Sequence, residues 1–391
     1  MARTPMRRLL RAVRTRSSSV LRAIGPTDVV VLGGGIIGCA LAEELARRGQ
    51  RVVVIERGLA AGLEASSAAA GILSAQMDVP EPGPFFELCQ ESRRRYPQWI
   101  KRLERASGLE LDYRVGGVLY LALNAREEAA MDARARWQVR MGLPVERWSP
   151  PETQRHEPSL DGRFRRGFHF PLEGQVDNAL VMRALAAACR KARVRLLEQT
   201  TVKRLLIKRQ AVRGVETDRG RIRARVVVNC LGSWAALDGA FPVPLPVVPA
   251  RGQIVAFHGP RHLFRRPVMS ERGYVVQRKD GLLLLGSTIE FAGYEKALTV
   301  QGMHDILCGV RQMSRAVDRC HFLDAWAGLR PCSKDRMPIL GATPIDGLFV
   351  ATGHFRHGIL LAPTTAGLLA DLILTGQSPL PFQPFSPLRF R

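Results

Sequence analysis

The chain has 391 residues, 46% of them hydrophobic, and a formal net charge of +23. That length supports one large domain or two interleaved domains with a real core, and the composition excludes a disordered or fibrous chain. No run of about 20 uninterrupted apolar residues offers a membrane span. The seven cysteines (Cys39, Cys89, Cys189, Cys230, Cys308, Cys320 and Cys332) are odd in number and form no CxxC pair. This argues against a zinc site or a disulfide framework and for a reducing compartment.

The basic residues are overwhelmingly arginine, with only seven lysines. They are scattered, with no basic segment interleaved with aromatics, so the charge reads as an arginine-rich surface and no specific nucleic-acid partner is expected. Residues 1–27 hold seven arginines, no acid and the run Ser17-Ser18-Ser19. That is the composition of an organellar transit peptide, and equally of a dispensable basic tail or a misassigned start. Arg11, Arg14, Arg16 and Arg22 interrupt any apolar core a secretory signal would need.

The first globular element is a short buried strand, Asp28 to Leu32 (DVVVL), followed by GGGIIG with Gly33, Gly35 and Gly38 in the G-x-G-x-x-G places. Ala40 to Gly49 has helical spacing with a glycine stop, and Arg51 to Ile55 is a second strand ending at Glu56. This is a β-α-β dinucleotide unit. Gly33 allows the tight turn, Gly35 lets the backbone approach a pyrophosphate, and Gly38 lets helix and strand pack closely. The helix N-terminus, at Ile36 and Ile37, presents free N–H groups to the phosphates. Glu56 would accept hydrogen bonds from ribose hydroxyls and repel a 2′-phosphate, a point softened by Arg57.

The segment Ala65 to Met77 is rich in small residues, which let a backbone run flush against an extended ligand. Residues 193–231 alternate β-rich stretches with turns and return to a buried strand at Val226 to Cys230. Residues 273–288 read as a hairpin with Lys279-Asp280-Gly281 at its turn. WAGLRP, Trp326 to Pro331, sets Arg330 in an apolar stretch, where it meets either a buried acid or a ligand anion. Asp346 to Thr352 is a last core strand, running into a glycine turn and an apolar helix that starts near Gly358 or Ile359. His354 and His357 sit in that turn without a nearby acid, which makes a poor metal site.

Taken in order, these strings, with VVVNCLGSWA at Val226 to Ala235 and RGQIVAF at Arg251 to Phe257, resemble the glycine oxidase and D-amino acid oxidase family of FAD-dependent amine oxidases. Within it they are most like the glycine oxidases of thiamine biosynthesis. The resemblance covers residues 28 to about 380. It implies an α/β (α+β) architecture: a Rossmann-like FAD-binding domain interleaved with a substrate domain on a large mixed or antiparallel sheet. We expect the FAD domain in residues 28–106, 168–245 and 325–380, and the substrate domain in 107–167 and 246–324. A basic extension over 1–27 and a tail over 381–391 flank them.

The resemblance implies non-covalent FAD, since Cys332 is offset from the position at which sarcosine-oxidase relatives attach the flavin. Its expected contacts are Gly33, Gly35, Ile36, Ile37, Gly38, Glu56, Arg57, Ser66, Ser67, Ala70, Gly71, Val202, Gly232, Trp234, Gly353, His354, Arg356, His357, Gly358 and Ile359. Arg330 would clamp a substrate carboxylate with Tyr274 beside it, and Arg356 would lie near the entrance. Arg272 and Ile289 stand where some glycine oxidases have His and Met, so they shape the pocket and leave glycine, sarcosine and small D-amino acids open. The implied reaction is hydride transfer from Cα to the flavin N5, with oxygen as acceptor, in a cytoplasmic homo-oligomer. The rivals are a dehydrogenase passing electrons to a quinone or carrier, and an FAD-dependent tRNA-modification module.

Overall fold

The computed structural model describes residues 27–237 and 241–390. Apart from Thr27, the basic N-terminal extension lies outside the described residues. Val29–Leu32 and Val52–Ile55 alternate strictly between two cores. Val29, Val31, Val52 and Val54 face one hydrophobic cluster, and Val30, Leu32, Val53 and Ile55 the other. A strand buried on both faces sits at the centre of a parallel sheet, which is why these segments are continuous valine and isoleucine. The sheet has six strands in the order Ile339–Ala342, Leu348–Thr352, Val226–Asn229, Val29–Leu32, Val52–Ile55 and Arg195–Leu197. All its pairings are parallel except the first, at the edge.

Four helices cover one face: Ile36–Arg47, Pro84–Ser107, Asn178–Lys191 and Gly358–Thr375. Gly358–Thr375 is long and apolar enough to cross a membrane by length and composition, but 67% of it is buried inside the protein. Its all-round hydrophobicity is that of a core helix. The opposite face carries a three-stranded antiparallel sheet, Val202–Lys208, Ala211–Thr217 and Gly220–Arg223.

The second layer is an eight-stranded sheet in the order His321–Ser333, Val247–His258, Leu282–Gly286, Gly273–Gln277, Val268–Ser270, Val118–Ala122, Arg166–Phe170 and Glu146–Trp148. It is antiparallel except where Val268–Ser270 meets Val118–Ala122. The hairpin is present as expected, with Gly281 in the left-handed region at φ 90°. The sheet takes in residues through Phe170 and from His321 to Ser333, so it crosses the boundaries expected at 168 and 325. One long strand, paired with Val247–His258 from end to end, therefore carries WAGLRP within the eight-stranded sheet to its junction with the nucleotide sheet. One hydrogen bond ties the layers there, Ser233 Oγ donating to the Leu329 carbonyl at 3.0 Å, and Thr352 Oγ1 anchors the same turn to the nucleotide sheet through the Gly232 carbonyl at 2.9 Å.

Candidate active site

A cavity of about 440 Å3 runs between the two sheets. Its size is that of a site for a small molecule or cofactor. One end is the glycine loop. A Cβ on Gly33 would stand 2.5 Å from the Cys230 carbonyl oxygen, and one on Gly38 2.0 Å from the Gly33 carbonyl oxygen. Both positions are closed by backbone, so only glycine fits. Gly35 is different: its only near neighbour is the Ser66 hydroxyl at 3.3 Å, and it lines the cavity. It is also the N-cap of Ile36–Arg47 and, being glycine, brings no capping side chain of its own. Ser66 Oγ accepts from the Ile36 amide at 2.9 Å. The helix end thus opens onto the cavity with its positive pole, which suits a pyrophosphate.

Glu56 accepts from the Gly34 amide at 2.8 Å and the Gly58 amide at 2.6 Å. Burial raises its pKa and the two amides oppose the rise. The carboxylate is thus fixed in place with lone pairs left for hydroxyl donors. Arg57 lies 3.8 Å over the Trp234 ring and pairs with Glu64 at 3.4 Å. Its charge is engaged by the cavity wall, which leaves Glu56 as the acceptor suited to a ribose hydroxyl. Ala70, Gly71, Val202, Gly232, Trp234, Gly358 and Ile359 line the same cavity, with Thr200 and Thr201, which the sequence did not single out. This glycine cradle, helix end and anchored carboxylate fit an adenine dinucleotide.

The other end holds Arg330, Tyr274, Ile289 and Arg356. Arg330 is half-buried. It donates to the Thr288 carbonyl at 3.0 Å and to the Ser287 hydroxyl at 2.8 Å. Its guanidinium lies flat on Gly252, where a Cβ would come within 1.9 Å of Nη1. Burial lowers its pKa; the Tyr274 phenol favours the cation and Arg356 opposes it. Among the described residues no carboxylate pairs with it. Tyr274 crosses Gly286 in the same way, with a Cβ there falling 2.5 Å from the phenol oxygen. Burial raises the phenol pKa, and Arg330 lowers it. A cation with N–H groups to spare, beside a phenol, has the chemistry to receive a carboxylate. Arg356 is already paired with Asp78, a residue the sequence gave no reason to choose.

Five expected contacts fall outside the cavity lining. Gly38 does so because it packs the helix on the strand. Ser67 is turned inward, its hydroxyl donating to the Glu64 carbonyl. Gly353 (φ 72°) turns the chain and faces Ile339 instead. His357 points the other way from His354, edge-on to Phe85, and burial lowers its pKa to about 4. Arg272 is exposed at the turn between Val268–Ser270 and Gly273–Gln277, with its backbone against Gly309 of the helix Val300–Met313. It therefore does not shape the pocket. His354 lines the cavity, buried, with Nε2 3.1 Å from Thr365 Oγ1, and its pKa falls to about 3, so it is neutral. Cys332 is absent from the lining and its thiol faces the Ser333 carbonyl.

Comparison with known proteins bears on the family and the cofactor. The model of the FAD dependent oxidoreductase family matches residues 28–372. A glycine oxidase of Pseudomonas aeruginosa is 34% identical over 355 residues, covering 90% of this chain and 96% of that protein. A bifunctional protein ThiO/ThiG of Synechocystis is 36% identical over 373 residues, 93% of this chain but 54% of that protein. The chain thus spans about half the length of its bifunctional relatives. The crystal structure of a glycine oxidase from Geobacillus kaustophilus superposes with a TM-score of 0.89 at 31% identity, covering 92% of this chain and 98% of that one. The nucleotide cradle, the cavity and these matches together make the cofactor FAD, and the chain belongs to the FAD dependent oxidoreductase family.

Proposed function

We propose that the protein oxidatively deaminates glycine or another small amino acid, sarcosine and small D-amino acids included. The observation that carries this reading is Arg330: a cation in the cavity wall, beside Tyr274, with no carboxylate among the described residues to neutralise it. The substrate carboxylate supplies the missing anion through parallel N–H···O bonds, which fix its orientation. FAD held by the Gly33 to Gly38 loop and Glu56 would supply the two-electron chemistry, hydride uptake from Cα of the neutral amine and reoxidation by oxygen to hydrogen peroxide. The imino acid left behind takes up water and releases a 2-oxo acid together with ammonia, or with methylamine when the substrate is sarcosine.

The chain's own part is mostly positioning. Arg330 and Tyr274 hold the acid end, and holding one end of so small a molecule sets where Cα lies. No base at Cα is required, and none of the cavity's groups is needed as one. The N-terminus of Gly358–Thr375, which carries Gly358 and Ile359 into the cavity, offers positive potential where negative charge gathers on reduction. The relatives named ThiO/ThiG and glycine oxidase support a physiological role in thiamine thiazole synthesis. The test is a panel of amino acids added to the oxygen-free holoenzyme, followed by flavin bleaching. Glycine or a small D-amino acid should bleach it, and readmitted air should return the colour with one peroxide per turnover. Bleaching without peroxide would leave the amine oxidation and replace oxygen by another acceptor.

A further inference from the structure

We infer that Asp78 sets how many carboxylates the site accepts: by pairing with Arg356 it leaves Arg330 as the one open cation of the cavity, and so disfavours ligands that carry a second carboxylate. The inference rests on the proposed role of Arg330 as the carboxylate clamp. Among the described residues three arginines line the cavity: Arg57, Arg330 and Arg356. Arg57 pairs with Glu64 and Arg356 with Asp78, and both acids line the cavity as well. Arg330 meets a carbonyl and a hydroxyl instead, those of Thr288 and Ser287.

Arg356 stands beside the clamp because two stretches of chain are joined there. The Phe355 amide donates to the Pro331 carbonyl at 2.8 Å, and His354 forms an antiparallel bridge with Cys332. Arg356 and Arg330 are thus each next in sequence to a partner in the same backbone hydrogen bond. The charge of Arg356 is felt at Arg330, whose pKa it lowers. Arg356 is exposed while it lines the cavity, which puts it at the mouth. Two open guanidiniums so placed would suit a dicarboxylate, one end at each. Asp78 closes the second of them, and the chain around it is tied on both sides. The Gln76 and Met77 amides donate to Glu173 at 2.6 and 2.9 Å, Arg134 donates to the Met77 carbonyl, and Trp137 Nε1 donates to the Pro80 carbonyl at 3.0 Å. A second ligand carboxylate at Arg356 therefore meets a like charge that is held in place. Repulsion of that kind selects against a ligand without adding any contact to the favoured one. A neutral group of the same size meets no such repulsion.

An Asp78 that only braced the mouth would affect all ligands alike, whereas a charge-masking Asp78 affects the choice between them. The probes are succinate and its half-amide succinamate, alike in size and different in one charge, titrated against the holoenzyme and read from the flavin absorbance. Glutarate and glutaramate repeat the comparison with a longer reach. Wild type should bind each half-amide more tightly than its diacid. Asp78→Asn keeps the shape of the side chain and removes its charge, so Arg356 opens. The diacid-to-half-amide affinity ratio should then rise about ten-fold for the pair whose reach fits. Adding Arg356→Met to Asp78→Asn should abolish that gain. If the asparagine variant loses its flavin, Arg356→Met alone, at an exposed position, leaves Asp78 unpaired and should lower the ratio below that of wild type. A ratio unchanged for both pairs of probes overturns the inference, and so does a gain that survives in the double variant. If Arg330→Ala leaves half-amide binding intact, the clamp itself is wrong, which separates the two failures.

Discussion

Two arginines on the eight-stranded sheet meet opposite surroundings. Arg278, just past Gly273–Gln277, is 4% exposed. It donates to the carbonyls of Val176 and Ala70 at 2.7 Å each and to Asn178 Oδ1 at 3.1 Å. Those partners come from two separate stretches of chain, around Ala70 and Val176 to Asn178, so Arg278 knits the junction between the nucleotide helices and the eight-stranded sheet. Arg330 sits on a glycine as Arg278 does, since a Cβ on Gly71 would come within 3.0 Å of the Arg278 guanidinium. It has two protein acceptors, and the rest of its donor fork opens on the cavity. Burial disfavours the charge on both. Protein acceptors offset that at the junction, whereas at the cavity part of the compensation waits for a ligand. A buried cation is structural when its donors are filled and functional when they are not.

The contrast can be broken most forcefully at the junction. Arg278→Met strands three acceptors and should destabilise the fold by about 3–5 kcal/mol. The Tm of the purified variant should drop, while KM for the amine stays close to wild type in whatever folds. A raised KM with an unchanged Tm would invert the assignment. Gly252→Ala should do the reverse. The new methyl group displaces the flexible end of Arg330 rather than backbone, so Tm should hold while KM rises about 10- to 100-fold. Steady-state kinetics beside a melting curve reads both.

A third buried charge gives the smallest effect, through pH. Glu173 is 1% exposed and accepts from the Gln76 and Met77 amides at 2.6 and 2.9 Å. Burial raises its pKa from 4.5 to about 8; the two amides and Arg93 oppose the rise and Asp78 adds to it. The neutral form is thus favoured in the folded protein. Its contribution to stability is fully present below about pH 4.5 and is lost as pH rises through 8. Wild-type Tm should decline from pH 5 to 8, at most about 1.4 kcal/mol per pH unit. Glu173→Gln should flatten that slope, and equal slopes in both proteins would remove Glu173 as the cause.

The nucleotide end of the cavity was legible because its parts are local. Gly33, Gly35, Gly38 and Glu56 lie within one β-α-β unit, and each has a backbone or hydrogen-bonding reason to be that residue. The Arg330 end was legible in Arg330, Tyr274, Ile289 and Arg356. Ser287, Thr288, Gly252 and Asp78 reach the site through pairings between distant strands, and a lone serine or glycine carries no sign of its partner. Arg272 was misplaced by its neighbourhood: it follows the cavity residues Ser270 and Glu271, yet the turn points it to solvent. The same alternation separated His357 from His354. Turn geometry decides these cases, and it is set by strands that sequence spacing does not register.

The claim that Arg330 waits for a substrate carboxylate is tested most directly by rapid mixing of oxygen-free holoenzyme with glycine, comparing wild type with Arg330→Ala. The rate of flavin bleaching should saturate in wild type. In the variant the half-saturating glycine concentration should rise at least about 100-fold, the value of a lost charge-assisted bidentate contact. An unchanged half-saturating concentration would make Arg330 a structural cation like Arg278 and contradict the account.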